Sequence, residues 1–412
     1  MEINAQNLFY VIIGIIVINF IKDSFLDYLN SKYFDKKPPK NLENLFEKEK
    51  YLKSQEYKKT KYNFSRISSL FGVSIVLLFF FFDGFLILDE FCRSNFDSEL
   101  IISLSFFGLI FLLNDLANLP FSLYNTFVIE EKFGFNKTTI KTFIFDKIKS
   151  WIITIIFGGG ILSFIIFQFE TIGKDFWLIA WLFVSLLTIL INGFYAQIIV
   201  PLFNKQTKLK NGDLKNEIKS YSKKVGFDLK NIFVIDGSKR STKANAYFSG
   251  FGAQKRITLY DTLINDLETD EIVAVLAHEV GHYKRKHIIV NLFSSILLTG
   301  FTFWLLSIFV SLPIFSEALN ITTPSFHVGL IVFGILYSPI SEFTGLLMNI
   351  LSRKFEFQAD NYAKETFAAQ PLITSLKKLS KNSLSNLTPH PAYIFMNYSH
   401  PTLLQRVQNL NK

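Results

Sequence analysis

About seven stretches of the chain, near residues 5–22, 67–88, 100–125, 151–169, 176–200, 288–312 and 327–350, are apolar for roughly the twenty residues that a bilayer core demands. Inside hydrocarbon every backbone N–H and C=O needs a partner within the protein, and runs of this length find one only as helices. The chain is therefore expected to be mainly α, a polytopic membrane protein of about seven transmembrane helices. Half of the residues are hydrophobic and 47 are phenylalanine, yet 19% are charged, so sizeable polar portions must separate the spans. The 151–169 stretch is short, and Gly158, Gly159 and Gly160 interrupt it.

The charges predict an orientation. Lysine and arginine crowd the connections Lys22 to Arg66, Lys132 to Lys149 and Lys205 to His287, and the tail from Arg353, whereas Asp89 to Glu99, Glu170 to Asp175 and Ser311 to Phe326 are acidic or almost free of lysine. Every second loop is positive, which places the amino terminus outside and the carboxyl terminus in the cytosol. The first run reads as a retained anchor: Met1 to Asn7 carries no basic residue, and Lys22-Asp23 stands where a signal peptidase would need small residues. The net charge of +9 flanks apolar segments and forms no aromatic-interleaved basic patch, which argues against nucleic-acid binding. Cys92 is the single cysteine, so an intrachain disulfide and a thiolate metal site are both excluded.

Residues 278–282 read His-Glu-Val-Gly-His. Residues four apart share a helix face, so His278 and His282 can offer two imidazole nitrogens to one Zn²⁺ while Glu279 stands beside it as general base. Only six histidines occur in 412 residues, which makes a chance pairing rare. Thr269 and Asp270 offer an N-cap, Asp270 and Glu271 suit the positive end of the helix dipole, and Ile272, Val273, Val275 and Leu276 supply a buried side.

Two histidines leave such a site one protein ligand short. Arg285 and Ile288 occupy the positions where a metzincin carries Gly and His, so a glutamate from another helix is the remaining common choice. The stretch Ser352 to Asp360 supplies Glu356, with Asp360 one turn later to hydrogen-bond the distal nitrogen of a ligand histidine. His287 falls about 140° away from His282 on a continuous helix and is expected to be an interfacial residue. His327 opens a span at the outer end, too far for a cytosolic metal, while His390 or His400 could donate to an oxyanion. Short strands are expected over Ile232 to Asp236, Asn245 to Phe251 and Arg256 to Tyr260; an exposed edge there would hold an extended peptide, with Asn245 and Ala246 well placed. Asn114, Asp115, Asn118, Asn192, Gln197, Glu342 and Asn349 lie in or near the spans, and either line a wet interior or bond neighbouring helices.

With HEVGH, EFQAD, NAYFSGF and YSHPTLLQR together, the chain resembles the integral-membrane zinc metalloproteases of the CAAX prenyl endopeptidase type. Two further matches, Leu119 to Thr139 and Pro201 to Lys205, have no evident chemistry. The resemblance implies spans that enclose a large water-filled chamber, closed on the cytosolic side by a small α+β zinc-protease portion. By that resemblance His278, His282 and Glu356 bind one zinc, Glu279 is the general base, Asp360 supports the site, Asn245 and His400 contact the substrate backbone or the oxyanion, and Arg406 pairs with a carboxylate. The implied division is 1–204 for spans one to five, 205–287 for the catalytic portion, 288–350 for spans six and seven, and 351–412 for a cytosolic part carrying the third ligand. The implied reaction removes the last three residues of prenylated proteins ending in a CAAX tetrapeptide; in a host without prenylation the same chemistry would clear other membrane polypeptides. The expected home is a bacterial inner membrane or, in a eukaryote, the endoplasmic reticulum. Two rivals are weaker: an intramembrane protease would not flank its metal motif with Asp270, Lys284 and Arg285, and a transporter would show an inverted repeat.

Overall fold

Membrane helices here begin and end where the chain can satisfy its backbone. The computed structural model describes residues 4–412 except 44, 46, 228, 230 and 250–255. Helix α1 (Ala5–Ser31) is capped by Asn4, whose side chain accepts from the Asn7 N–H. Helix α2 (Lys48–Phe81) rises from a polar first half into its apolar run and stops at Phe82. Asp83 then takes a left-handed φ of 53° and opens the separate helix α3 (Gly84–Asn95), so the expected span 67–88 ends about seven residues early. Helix α4 (Glu99–Tyr124) runs on through a π-helical turn, Asn125–Glu130.

The glycine-rich stretch does not break. Helix α5 (Ile140–Ile153), a π-helical segment over Thr154–Gly159 and α6 (Gly160–Ile172) form one unbroken run, because in hydrocarbon an opened helix has no water to bond instead. The chain reverses at Gly173, whose φ of 60° suits a residue without Cβ, into α7 (Phe176–Ile198) and the single turn α8 (Val200–Phe203).

A small sheet and a helical layer follow. Among the described residues the sheet has strands β1 (Gln206–Lys208), β2 (Asn231–Ile235), β3 (Ala246–Ser249) and β4 (Arg256–Tyr260) in the order β1-β2-β4-β3, with α9 (Asp213–Lys224) between the first two. β2 and β4 are parallel and the other pairs antiparallel, which leaves β3 at an edge. β1 is only three residues long and has no counterpart among the expected strands; residues 250 and 251 of the expected strand Asn245 to Phe251 lie outside the described residues. Helix α10 (Asp261–Asp266) leads into α11 (Thr269–Lys284), which carries the HEVGH run. Its cap is Glu268, one residue before the expected pair: the Glu268 N–H donates to Glu271 Oε2 at 2.8 Å in a reciprocal capping box. Two spans remain, α12 (His287–Phe309) and, after the short α13 (Pro313–Glu317), the 41-residue α14 (Phe326–Thr366). Helices α15 (Ala369–Asn382), α16 (Pro391–Asn397) and α17 (Leu403–Leu410) complete the chain. Ile257, Leu259, Ile272, Leu276, Leu372 and Val407 are among the side chains that bury the sheet, α11, α15 and α17 against one another.

Six helical stretches among the described residues are long and apolar enough to cross a membrane, and the 64-residue one, Ile140–Phe203, reverses at Gly173, so the spans number seven as expected. They close a ring: α1 touches α2 and α14, α2 reaches α4 through α3, and α4, α6, α7, α12 and α14 follow one another. Their apolar windows are only 6–17% buried, so most of their surface is left to face lipid or an interior. Leu8, Phe80, Phe176, Leu319 and Phe326 pack together at one end of the ring, and the catalytic motif lies at the other. The polar residues of the spans do not all behave alike. Asp115 bonds Lys147 and the Trp151 indole N–H, and Glu342 pairs with Lys22 of α1, whereas Asn118 and Asn192 are exposed and donate within their own helix.

α14 continues unbroken from the spans to the catalytic end, and it meets α11 at Gly281. A Cβ there would stand 3.0 Å from Ala359 Cα and 3.1 Å from Ala359 O, both backbone atoms that cannot swing aside. Gly281→Ala is therefore expected to cost about 1–3 kcal/mol by overpacking and to lower the melting temperature. Gly72→Ala, with no atom within 4 Å of the added methyl group, is the control that should not.

Candidate active site

Gly281 brings the two helices close enough for one carboxylate to meet two imidazoles. His282 Nε2 is 3.1 Å from His278 Nε2 and 3.2 Å from Glu356 Oε1, and His278 Nε2 is 3.5 Å from Glu356 Oε2. The three residues can each offer one ligand atom, all within 4.8 Å of one another. Glu356 is 5% exposed, and its Oε2 is a buried oxygen without a hydrogen-bond donor. A buried carboxylate oxygen that accepts no hydrogen bond, with the Arg406 guanidinium no nearer than 3.4 Å, keeps a lone pair free for a cation held with the two imidazoles. The donor set, two nitrogens and a carboxylate, suits a borderline divalent metal.

The distal nitrogens are held as well. His278 Nδ1 is 2.9 Å from Asp360 Oδ1, and Asp360, fully buried, accepts from Arg406 Nη2 at 2.6 Å and Arg406 Nε at 2.9 Å. Arg406 Nη1 is also 3.4 Å from Glu356, so one guanidinium balances both buried carboxylates. Burial and the nearby Arg406 charge press His278 towards its neutral form, but its hydrogen bonds to Asp360 and Glu356 outweigh them and push its pKa up to about 9. A divalent cation would have to displace that proton, so its binding is coupled to proton release.

His287 departs from its expected place. α11 ends at Lys284, and Lys286 adopts a left-handed φ of 60°, so the 140° rotation expected of a continuous helix does not apply. The turn swings His287 back until its Nδ1 is 3.0 Å from His282 Nδ1, its ring stacks on Phe355 at 4.0 Å, and its Nε2 meets Gln358 Oε1 at 2.8 Å. It is 2% exposed, at the first residue of the span α12, and it orients an imidazole of the site instead of standing free of it. The positive φ of a lysine is a tertiary fact, and nothing in the residue pattern marks it.

A cavity of about 410 Å³ opens beside these groups, lined by Asn245, Ala246, Tyr247, Glu279, Asn291 and His400 among others. Burial raises the Glu279 carboxyl above its ordinary value, while the charges of His278, His282 and Arg406 pull it down. A carboxylate raised in this way is a better proton acceptor at neutral pH. His400 Nε2 lies 3.4 Å from Glu356 Oε1, and its side chain is 64% exposed to the opening. The other histidines are elsewhere. His390 caps α16 through its Nδ1 and packs edge-on against Tyr33. His327 Nδ1 contacts Ser103 Oγ at 2.8 Å and its Nε2 contacts Asp89 Oδ1 at 2.7 Å, an order of groups seen in serine hydrolases. With Ser103, His327 and Asp89 at most 2% exposed, no substrate carbonyl can reach that serine, and the trio ties α3, α4 and α14 together at the end remote from the metal residues.

Comparison with known proteins agrees with this geometry along the whole chain. Residues 28–205 match the family model described as CAAX prenyl protease N-terminal, five membrane helices, and residues 208–412 match peptidase family M48. CAAX prenyl protease 1 of Saccharomyces cerevisiae is 36% identical over 97% of this chain and 94% of its own length. The chain belongs to the CAAX prenyl protease 1 family of M48 metallopeptidases. The Dictyostelium discoideum homologue is 37% identical over 98% of the chain and 97% of its own length, and the human homologue 34% identical over 90% and 88%. The crystal structure of S. mikatae Ste24p superposes with a TM-score of 0.94 at 35% identity, covering all of both chains. The protein is thus an integral-membrane metallopeptidase whose mainly helical fold carries a small mixed sheet.

His287 gives the site a testable outer support. His287→Leu is expected to weaken metal binding about 10- to 100-fold, read by titration against a competing chelator, with the helical circular dichroism unchanged.

Proposed function

We propose that this chain is a zinc-dependent endopeptidase that removes the C-terminal tripeptide of prenylated CAAX proteins. The convergence of His278, His282 and Glu356 beside Glu279, on the wall of a cavity edged by β3, carries the reading. The relatives named as CAAX prenyl proteases support the substrate class. So does the position of Ile288 and Asn291, in the first turn of the span α12 and also on the cavity wall: a lipid on the substrate could stay among the membrane helices while its peptide enters the site.

His278, His282 and Glu356 would hold one zinc, with Asp360 and His287 fixing the two imidazoles and Arg406 compensating the carboxylates. Zinc bound there supplies Lewis acidity, which polarises the scissile carbonyl and acidifies water. Glu279 takes the proton of the attacking water and returns it to the leaving amine. Asn245 and Ala246, at the start of the edge strand, hold the substrate backbone as an added strand. His400, exposed at the opening, donates to the oxyanion of the tetrahedral intermediate. In this division of labour, residues 1–204 and 288–350 form the membrane vessel, and 205–287 with 351–412 form the catalytic head in the cytosol. The amino terminus is then outside, in keeping with the lysine-rich connections on the side of the head.

Glu279→Gln should keep about one zinc per chain by metal analysis while losing about 10²- to 10⁴-fold in turnover of a farnesylated CAAX peptide. Full activity in that variant would reject the mechanism, and equal cleavage of the unprenylated peptide would reject the substrate class. For the orientation, a cysteine at the exposed Lys210 should react with an impermeant maleimide only from the cytosolic face of sealed vesicles, native Cys92 being fully buried. Labelling from the opposite face would invert the assignment.

A further inference from the structure

Two sequence matches had no chemistry of their own, Leu119 to Thr139 and Pro201 to Lys205, and in the structure both grip the same eight residues. Segment 236–243 leads into Ala244, Asn245 and Ala246, which line the metal cavity. At its start, Asp236 Oδ1 accepts from the Lys205 N–H and the Asn204 amide, each at 2.9 Å. In its middle, Arg240 is bidentate to Asp146 of α5 at 2.7 and 2.9 Å and donates to the Phe203 carbonyl at 2.8 Å. The loop after the π-helical turn then pairs with it along the backbone: Lys137 N–H donates to Arg240 O at 3.0 Å and Thr242 N–H to Phe135 O at 3.1 Å.

The last tie is electrostatic. Glu130, the final residue of the π-helical turn, accepts from Lys243 Nζ at 2.9 Å and from the Tyr57 hydroxyl at 2.7 Å, with its side chain 16% exposed. Lys243 Nζ also stands 4.3 Å from the centre of the Phe135 ring. π-Helical turns insert a residue into a helix at a cost and concentrate at functional sites. This one ends on the carboxylate that holds Lys243.

We propose that Glu130 is a positioning residue for peptide cleavage: by anchoring Lys243 to the membrane helices it sets the place of Asn245 and Ala246 at the edge strand that receives the substrate. The lever is short, since Lys243 and Asn245 are two residues and about 7 Å apart along an extended chain. Glu130 touches neither the metal residues nor the cavity wall, so its effect must pass through the strand. The inference rests on the reading of Asn245 and Ala246 as substrate-binding.

The test measures zinc content, kcat and KM for a farnesylated CAAX peptide, and inhibition by acetohydroxamate, a metal chelator with no peptide strand to pair with β3. Glu130→Ala and Lys243→Met are each expected to raise KM about tenfold through loss of strand pairing, with kcat, zinc content and acetohydroxamate inhibition within twofold of the wild type. The double variant should be no worse than Glu130→Ala alone, because that variant already removes the tie to Lys243. Glu130→Asp, which keeps the charge, should recover part of the loss. An unchanged KM in Glu130→Ala overturns the proposal, as does a loss that falls equally on zinc content and acetohydroxamate binding. Asn245→Ala separates the two readings: if it leaves KM unchanged the substrate-strand reading fails, whereas if it raises KM and Glu130→Ala does not, only the role of Glu130 fails. Should Glu130→Ala fail to accumulate, Lys243→Met and Glu130→Gln carry the same comparison.

Discussion

The approach of α11 to α14 at Gly281 is the contact on which the catalytic end is built. With hydrogen in place of a side chain, the backbone of Ala359 comes to 3.0 Å from where a methyl group would stand, and Glu356, three residues earlier on α14, comes within 3.2 Å of His282. A larger residue would push the helices apart by a fraction of an ångström to an ångström, and metal sites tolerate errors of only about 0.2 Å in ligand distance. The glycine inside HEVGH is therefore a spacing element, as necessary to the geometry as the histidines on either side of it.

Around that contact the protein spends buried charge to hold the imidazoles. Asp360 and Glu356 are two carboxylates one helical turn apart and almost without solvent, and Arg406 from the last helix lies between them. Arg406 is six residues past the exposed His400, so α17 delivers a neutralising charge to the interior while its preceding turn presents an imidazole to the cavity. The opposite flank uses no charge. Gln358 and the Phe355 ring hold His287, which in turn holds His282. One imidazole of the candidate cluster is thus braced by a carboxylate and the other by a neutral chain.

The spans and the segments that carry the HEVGH helix are joined at more than the three chain crossings, from α8 into β1, from α11 into α12 and along α14. The segment before β3 is tied to α2, to the π-helical end of α4, to α5 and to the turn after α7 through Glu130, Asp146 and the Phe203 carbonyl. These ties are only partly buried, so a carboxylate and a lysine can meet there at moderate desolvation cost and still be rigid. The result is a shallow strand edge held by membrane helices, beside a metal motif held by a soluble core. A peptide bound there would touch both bodies at once.

Span number, helix type and the His278–Glu279–His282 face followed from local rules, because membrane length and helical periodicity are set by neighbours in the chain. Glu356 and Asp360 could be picked out for the same reason: their spacing fits one helix face, and the chemistry of two imidazoles leaves a place for a carboxylate. Other features needed contacts between residues far apart in the chain. The end of α2 at Phe82 and the return of His287 depend on positive φ values at Asp83 and Lys286, which no side-chain pattern announces. The pairing of Arg406 with Asp360 spans 46 residues, and that of Glu130 with Lys243 spans 113. Residue types and short spacings specify which atoms can bind a metal and move a proton; only packing across the whole chain determines whether those atoms are held at bonding distance, because that distance is the sum of many remote contacts.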